Sequence, residues 1–174
     1  IVVFSDTHCG CQMGLCPPTV KLDGGGTYQQ SQFQAKVWDW WKDFWTFVKR
    51  ATHGEPYDVI MNGDAIDGSH HRSTTQISQN PTDQLEIAYQ VLKPVVAKAH
   101  RYYHIRGTEA HVGSSGCMEE ELAKRLGALP DSEGNHARWE LWKYLGQEEV
   151  LLHVLHHIGT TGSQAYESTG VMKE

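Results

Sequence analysis

A mixed α/β fold is what this sequence predicts, on three observations: short apolar runs that stop at Asp or Gly, amphipathic stretches between them, and a late alternating pattern. The runs are Ile1 to Phe4, Tyr57 to Met61 and Tyr102 to Arg106, and within two residues each gives way to Asp6, Gly63 or Gly107. The order strand, helix, strand, helix, strand is most simply met by a parallel sheet with right-handed crossovers. At 174 residues the chain is close to the common domain size, so residues 1–174 are taken as a single domain.

After the first strand, residues 9 to 31 carry Pro17-Pro18 and Gly24-Gly25-Gly26, the composition of a long loop placed to act as a lid. From Ser31 to Arg50, Phe33, Val37, Trp41, Phe44 and Val48 recur at steps of three and four, and Trp38, Trp40 and Trp45 widen that stripe. A helix packed on a sheet explains these aromatics more simply than stacking on nucleic acid. The next helix is expected from Thr82 to His100, entered through Asn80-Pro81 and bent or divided at Pro94. A third spans Met118 to Leu126, and a further one begins near Ser163. Between them, Trp139, Leu141, Lys143 and Leu145 alternate before Gly146-Gln147, and Val150 to His156 follows, which is the pattern of an antiparallel hairpin.

No run of eighteen apolar residues is present, and the first apolar stretch is too short for a signal peptide, so a cytoplasmic protein without a membrane span is expected. Because the chain opens inside a strand at Ile1 and stops inside an expected helix at Glu174, it is read as a fragment. Fifteen basic against twenty-one acidic residues argue against a broad surface for nucleic-acid phosphates, although bound dications would reverse the field locally. The four cysteines are expected as reduced thiols. Cys9-x-Cys11 with Cys16 matches no common zinc spacing and lacks a fourth ligand.

The chemistry concentrates at the strand ends: Asp6-Thr7-His8, Gly63-Asp64-Ala65-Ile66-Asp67, Gly107-Thr108-Glu109-Ala110-His111, and His156-His157 after the run Val150 to Leu155. Ligands of open α/β sheets collect beyond the carboxyl ends of strands, so these groups can meet although they are distant in sequence. Asp6 and His8, two apart, point the same way, and Asp64 has two oxygens with which to bridge two cations.

In these blocks the chain resembles the calcineurin-like metallophosphoesterase superfamily, whose ordered signature is Asp-x-His, Gly-Asp-x-x-Asp, Gly-Asn-His-Asp/Glu, a later His and a final Gly-His-x-His. The resemblance runs from residue 1 to about 160, and it implies a layered sandwich of mixed sheets flanked by helices. It also implies a metal-dependent hydrolase acting on phosphomonoesters or phosphodiesters, with two divalent ions of Mn, Fe, Zn, Ni or Co. Asp6 and His8 would serve one ion, Asp64 both, and His156 the second together with either Thr108 or Glu109, since Thr108 stands where the family has asparagine. Asp67 would orient its neighbours. The family's leaving-group histidine has no aligned counterpart, and His111, two residues on, is the candidate for protonating the leaving alkoxide. The last block is absent and is expected beyond Glu174.

Eleven histidines raise the prior for metal binding without identifying the ligands. His70 and His71 follow the Asp67 turn as substrate contacts or as a solvated loop, and His157 faces substrate or supports His156. Arg72 and Arg106 can grip phosphate bidentately or pair with a nearby acid. The expected partner is a phosphoester, a nucleotide or nucleic acid among the candidates, with a nuclease or a non-catalytic scaffold as the alternatives. An exposed part of the Trp38 to Trp45 face would favour a homodimer or an adaptor contact.

Overall fold

The three early apolar runs lie side by side as strands of one parallel sheet. The computed structural model describes residues 1–70, 72–113, 115–146 and 150–157. In chain order they form β1 (Val2–Phe4), β2 (Thr19–Lys21), β3 (Thr27–Gln29), α1 (Gln32–Ala51), β4 (Asp58–Asn62), α2 (Pro81–Val96), β5 (Arg101–Ile105), α3 (Glu109–Val112), α4 (Cys117–Leu126), β6 (Ala137–Arg138), β7 (Glu140–Leu145) and β8 (Val150–Leu155). The parallel sheet has the order β1-β4-β5-β6, while β2 with β3 and β7 with β8 form antiparallel pairs. His71, Gln147 and the helix expected near Ser163 lie outside the described residues.

Alternation along the strands sorts the side chains into two cores. Val59, Met61 and Tyr102 face a helical layer, where they join Leu85, Ile87, Val91 and Leu92 of α2 and Leu122 and Leu126 of α4. Ile60, Tyr103 and Ile105 face the other way, onto Leu141 and Val154 of the β7–β8 hairpin. The molecule is therefore mixed α/β, a parallel sheet with helices on one face and a hairpin on the other. Lys143 reaches from β7 to Asp58 at 3.0 Å. Burial alone would raise the Asp58 carboxyl, but Lys143 and His100 outweigh it and hold it below its ordinary value. Among the described residues no helix is long and apolar enough to cross a membrane.

Helix starts follow local chemistry. Ser31 and Gln34 form a reciprocal capping box at α1, each backbone N–H donating to the other's side chain at 3.1 Å. Asn80 accepts from the Thr82 amide at 3.0 Å, with Pro81 opening α2. The helix ends short of His100: α2 stops at Val96 with Pro94 in its last turn, and the Ala97 and Lys98 amides close it on the Lys93 and Val95 carbonyls. The α1 stripe is also narrower than its periodicity suggests: Trp38, Trp41 and Trp45 pack on the core, whereas Phe33, Trp40 and Phe47 are exposed.

Residues 9 to 31 are not a free lid. Cys9, Cys11, Leu15, Cys16 and Val20 are buried, and the segment contains the β2–β3 ribbon. The fully buried Gln34 of α1 donates to the carbonyls of Cys11 at 3.0 Å and Gly14 at 3.2 Å, and Asp83 of α2 accepts from the Asp23 amide at 2.7 Å. The cysteines are free thiols, as expected. Burial, reinforced by Cys16 and only partly offset by a contact from Thr7, pushes the Cys9 thiol from 9.0 up to about 12. An acid whose folded value is raised stabilises the fold below its unfolded value and loses that contribution as pH climbs toward the folded one. Urea unfolding between pH 9 and 12 should therefore show a steeper alkaline loss of stability for the wild type than for Cys9→Ala, and parallel curves would refute the assignment.

Candidate metal centre

Beyond the sheet, the exits of β1 and β4 remain laced together. The Asp6 amide donates to the Gly63 carbonyl at 3.1 Å, His8 to Asp64 at 3.0 Å, Cys9 to Ala65 at 2.9 Å, and Asp67 back to Cys9 at 3.0 Å. The Thr7 hydroxyl turns inward to the Ala65 carbonyl at 2.9 Å, which leaves Asp6 and His8 on the cleft side. Asp6, His8 and Asp64 all adopt left-handed backbone, with φ of 56°, 39° and 52°. Side-chain-bearing residues pay about 1–3 kcal/mol for such conformations, which persist where surrounding bonds over-determine them and which cluster at functional sites.

Among the described residues two triads of ligand atoms result, Asp6 with His8 and Asp64, and His8 with Asp67 and His111, each within 4.8 Å of one another. His8 belongs to both. Its Nε2 lies 3.5 Å from Asp6 Oδ1, and its Nδ1 lies 3.5 Å from Asp67 Oδ1, buried and without a hydrogen-bond partner. His156, delivered by the end of β8, lies 3.0 Å through Nε2 from Asp64 Oδ2. Its Nδ1 lies 2.6 Å from the Asn62 carbonyl, which only accepts, so the ring proton is on Nδ1. In the neutral ring, the Nε2 lone pair then faces a carboxylate oxygen. Two such acceptors repel unless a cation, a proton or a metal ion, lies between them. His111 repeats the pattern, with Nδ1 2.6 Å from the Asp67 carbonyl and Nε2 3.8 Å from Asp64 Oδ2. The orphaned His8 nitrogen and these opposed acceptors fit a divalent-metal donor set of imidazole and carboxylate.

At the exit of β5, Thr108 donates its amide to Asp64 Oδ1 at 2.8 Å and holds its hydroxyl 3.3 and 3.4 Å from the two oxygens. Although Thr108 occupies the N-cap position of α3, its side chain does not cap the helix. Glu109 is exposed in the first turn of α3 and belongs to neither triad. His70 lies in the cluster, 3.5 Å from Asp67 and with its ring 4.3 Å from that of His111. His157 is exposed and lines a cavity of about 680 Å³ together with Thr108, Glu109, Arg106, Trp139 and His156. Arg72 is exposed on a left-handed loop residue, and Arg106 spends its Nε on the Ala137 carbonyl at 2.6 Å. No cysteine joins either triad, and burial raises the thiols of Cys9 and Cys16.

Sequence reasoning passed over the groups that hold these residues in place. Glu119 of α4 is completely buried and accepts from the Ala65 amide at 2.9 Å and the Gly107 amide at 2.6 Å, so one carboxylate clamps the exits of β4 and β5. Behind it lies His104 at 3.8 Å, too long for a hydrogen bond, itself held by the Tyr102 hydroxyl at 2.7 Å. Gln76 donates to Asp67 Oδ2 at 2.9 Å, and Gln84 accepts from the Gly68 amide at 2.7 Å. In sequence, Glu119 looks like any acidic residue in a first helical turn, and no signal sets it apart. Two glycines matter through close approach: a Cβ at Gly63 would strike the His156 ring, and one at Gly107 would strike Asp64.

With this geometry in view, no protein-family model, curated protein or solved structure matches the chain.

Burial acts to raise the Glu119 carboxyl, but His104 and the two amides outweigh it and bring it below 4.5. A carboxylate lowered on folding stabilises above its unfolded value and loses that contribution as pH falls through the folded one. On acidification below about pH 4.5, stability should therefore fall more steeply for the wild type than for Glu119→Gln in urea titrations, and identical acid limbs would contradict the clamp. Gly107→Ala, whose added Cβ would strike Asp64 and the backbone beside it, should lower the urea midpoint of unfolding. Gly24→Ala, where an added Cβ meets nothing within 4 Å, should leave it unchanged.

Proposed function

We propose that this chain is a metal-dependent phosphoesterase of the calcineurin-like superfamily, with that family's layered sandwich, acting on a phosphomonoester or phosphodiester. One observation carries the reading: polar groups from three parallel-strand exits and one hairpin end converge on Asp64, with nitrogen and oxygen acceptors opposed at 3.0 Å. Asp6 and His8 would hold one divalent ion and Thr108 and His156 the other, with Asp64 shared between them. When bound, such ions supply Lewis acidity, neutralise phosphoryl charge and bring water to an acidity of about 7, so that hydroxide is available at neutral pH.

The remaining work falls to the chain. Asp67 stands 3.5 and 3.8 Å from the rings of His8 and His111 and orients them. His111, its Nδ1–H fixed on the Asp67 carbonyl, would take up a second proton on Nε2, and the imidazolium so formed gives that proton to the departing alkoxide and returns to the neutral ring. The backbone N–H of Thr108 anchors Asp64 Oδ1, so the carboxylate keeps its direction as charge moves. His70 stands beside His111 as a phosphate contact, and His157 borders the second cavity.

Metal analysis and an aryl phosphate assay test the reading together. The purified chain should bind manganese and then release nitrophenol from p-nitrophenyl phosphate or its diester, and His8→Ala or Asp64→Asn should lower kcat/KM by about 100-fold or more. Trace metal together with background turnover in added manganese would overturn it. A ladder of cleaved DNA in place of small-ester turnover would make the substrate a nucleic acid.

A further inference from the structure

The triads open onto a cavity of about 620 Å³ whose two ends differ in chemistry. At one end stand Asp6, His8, Asp67, His70 and His111. The other is walled by Val37, Trp40, Trp41 and Phe44 of α1 with Met13 and Leu15 of the pinned loop. Trp41 is locked edge-on against Phe4 at 5.3 Å and Trp45 at 5.3 Å, so the floor of this wall is rigid. Trp40 is different. It is 58% exposed and takes no part in those ring contacts, although a ring of that size would gain from burial in α1.

We propose that this cavity is a subsite for a planar aromatic group carried by the phosphoester, with Trp40 as its stacking face. The inference deepens the phosphoesterase reading and rests on it for the phosphoryl end alone. Three arguments select the occupant. The cavity has the size of a small-molecule site. Phe44 follows Trp41 by three residues and Trp40 by four, so its ring is a neighbour of both, and the three aromatics line one wall of the cavity, which favours a flat ring over a flexible chain. A long nucleic-acid strand would need a basic track, whereas the chain carries a formal charge of -6 and Lys36, 5.8 Å from the Trp40 ring, is the cation that reaches that ring.

The test separates the ring from the leaving group and from the metal. On manganese-loaded protein, benzylphosphonate should bind about tenfold more tightly than ethylphosphonate in calorimetry. Trp40→Ala should bring the two within about twofold, and Trp40→Phe should restore most of the difference. Because Trp40 is exposed, its truncation spares the core, and an unchanged thermal melt checks this. On metal-free protein, benzyl alcohol, which has no phosphoryl group, should shift the Trp40 indole N–H resonance where ethanol does not. A preference for adenosine 5′-monophosphate over ribose 5-phosphate that Trp40→Ala abolishes assigns the ring to a nucleobase; the benzyl preference alone assigns it to an aryl or aralkyl ester. If the indole responds while metal binding and hydrolysis fail, the phosphoesterase reading falls and the aromatic subsite stands. If the indole is silent and the wild type treats benzyl- and ethylphosphonate alike, the subsite is overturned, whatever the hydrolysis assay shows.

Discussion

Asp64 leaves β4 with a left-handed backbone, and the bonds that keep it there organise everything around it. Its carbonyl accepts from the His8 amide, its carboxylate from the Thr108 amide, and the next amide, of Ala65, is taken by Glu119. Glu119 also takes the Gly107 amide, so two strand exits cannot separate without leaving a completely buried carboxylate unsatisfied. Unpaired buried charge costs several kcal/mol, at least as much as the strain at Asp64, so the constraint is held by a larger penalty than the one it imposes. Packing enforces the same geometry. With Gly63 under the His156 ring and Gly107 against Asp64, the loops approach at distances that no side chain permits.

That rigidity gives the electrostatics its direction. Flexible loops would let His156 and Asp64 rotate away from each other, exchanging opposed acceptors for water. Here the Asn62 carbonyl holds one side and the Thr108 amide the other, so acceptors stay aimed at a common volume. In the proposed phosphoesterase, a donor set that cannot relax would select for a cation on a chain whose net charge would otherwise repel a phosphoester. Under the proposed reading, affinity for the anionic substrate comes from the ions and not from a basic surface, which is consistent with Arg72 standing out in solvent and Arg106 being bonded to a carbonyl.

Much of this was legible because strand ends are abrupt. Asp6, His8 and Asp64 follow apolar runs whose burial is obligatory, and the alternation before Gly146 marked the β7–β8 hairpin that brings His156 across. What escaped notice depended on long-range partners. β6 has only two residues, Ala137 and Arg138, too few for any periodicity, and is docked by Glu120 of α4 through the amides of His136 and Ala137. The β2–β3 ribbon hid in a glycine-rich stretch whose order comes from Gln34 and Asp83, residues on helices that sequence alone reads as polar faces. Glu119, Gln76 and Gln84 are invisible for the same reason: a buried polar side chain has no local pattern, only a distant amide or carboxylate that requires it.

In the proposed site, local geometry favours Thr108 over Glu109 where composition does not. As a metal ligand, a carboxylate outranks a hydroxyl, and chemistry alone would favour Glu109. Backbone direction argues the other way. Thr108 stands at the last extended residue before α3 turns, with its amide already spent on Asp64, so its hydroxyl is carried to the same carboxylate and forgoes capping. Glu109, one residue on, has entered the helical turn and is swung outward beside His157 and Trp139. The same first turn of α3 is closed by the His111 and Val112 amides, which bond to the Thr108 carbonyl. The turn that presents His111 to one cavity is thus the turn that leaves Glu109 exposed on the other.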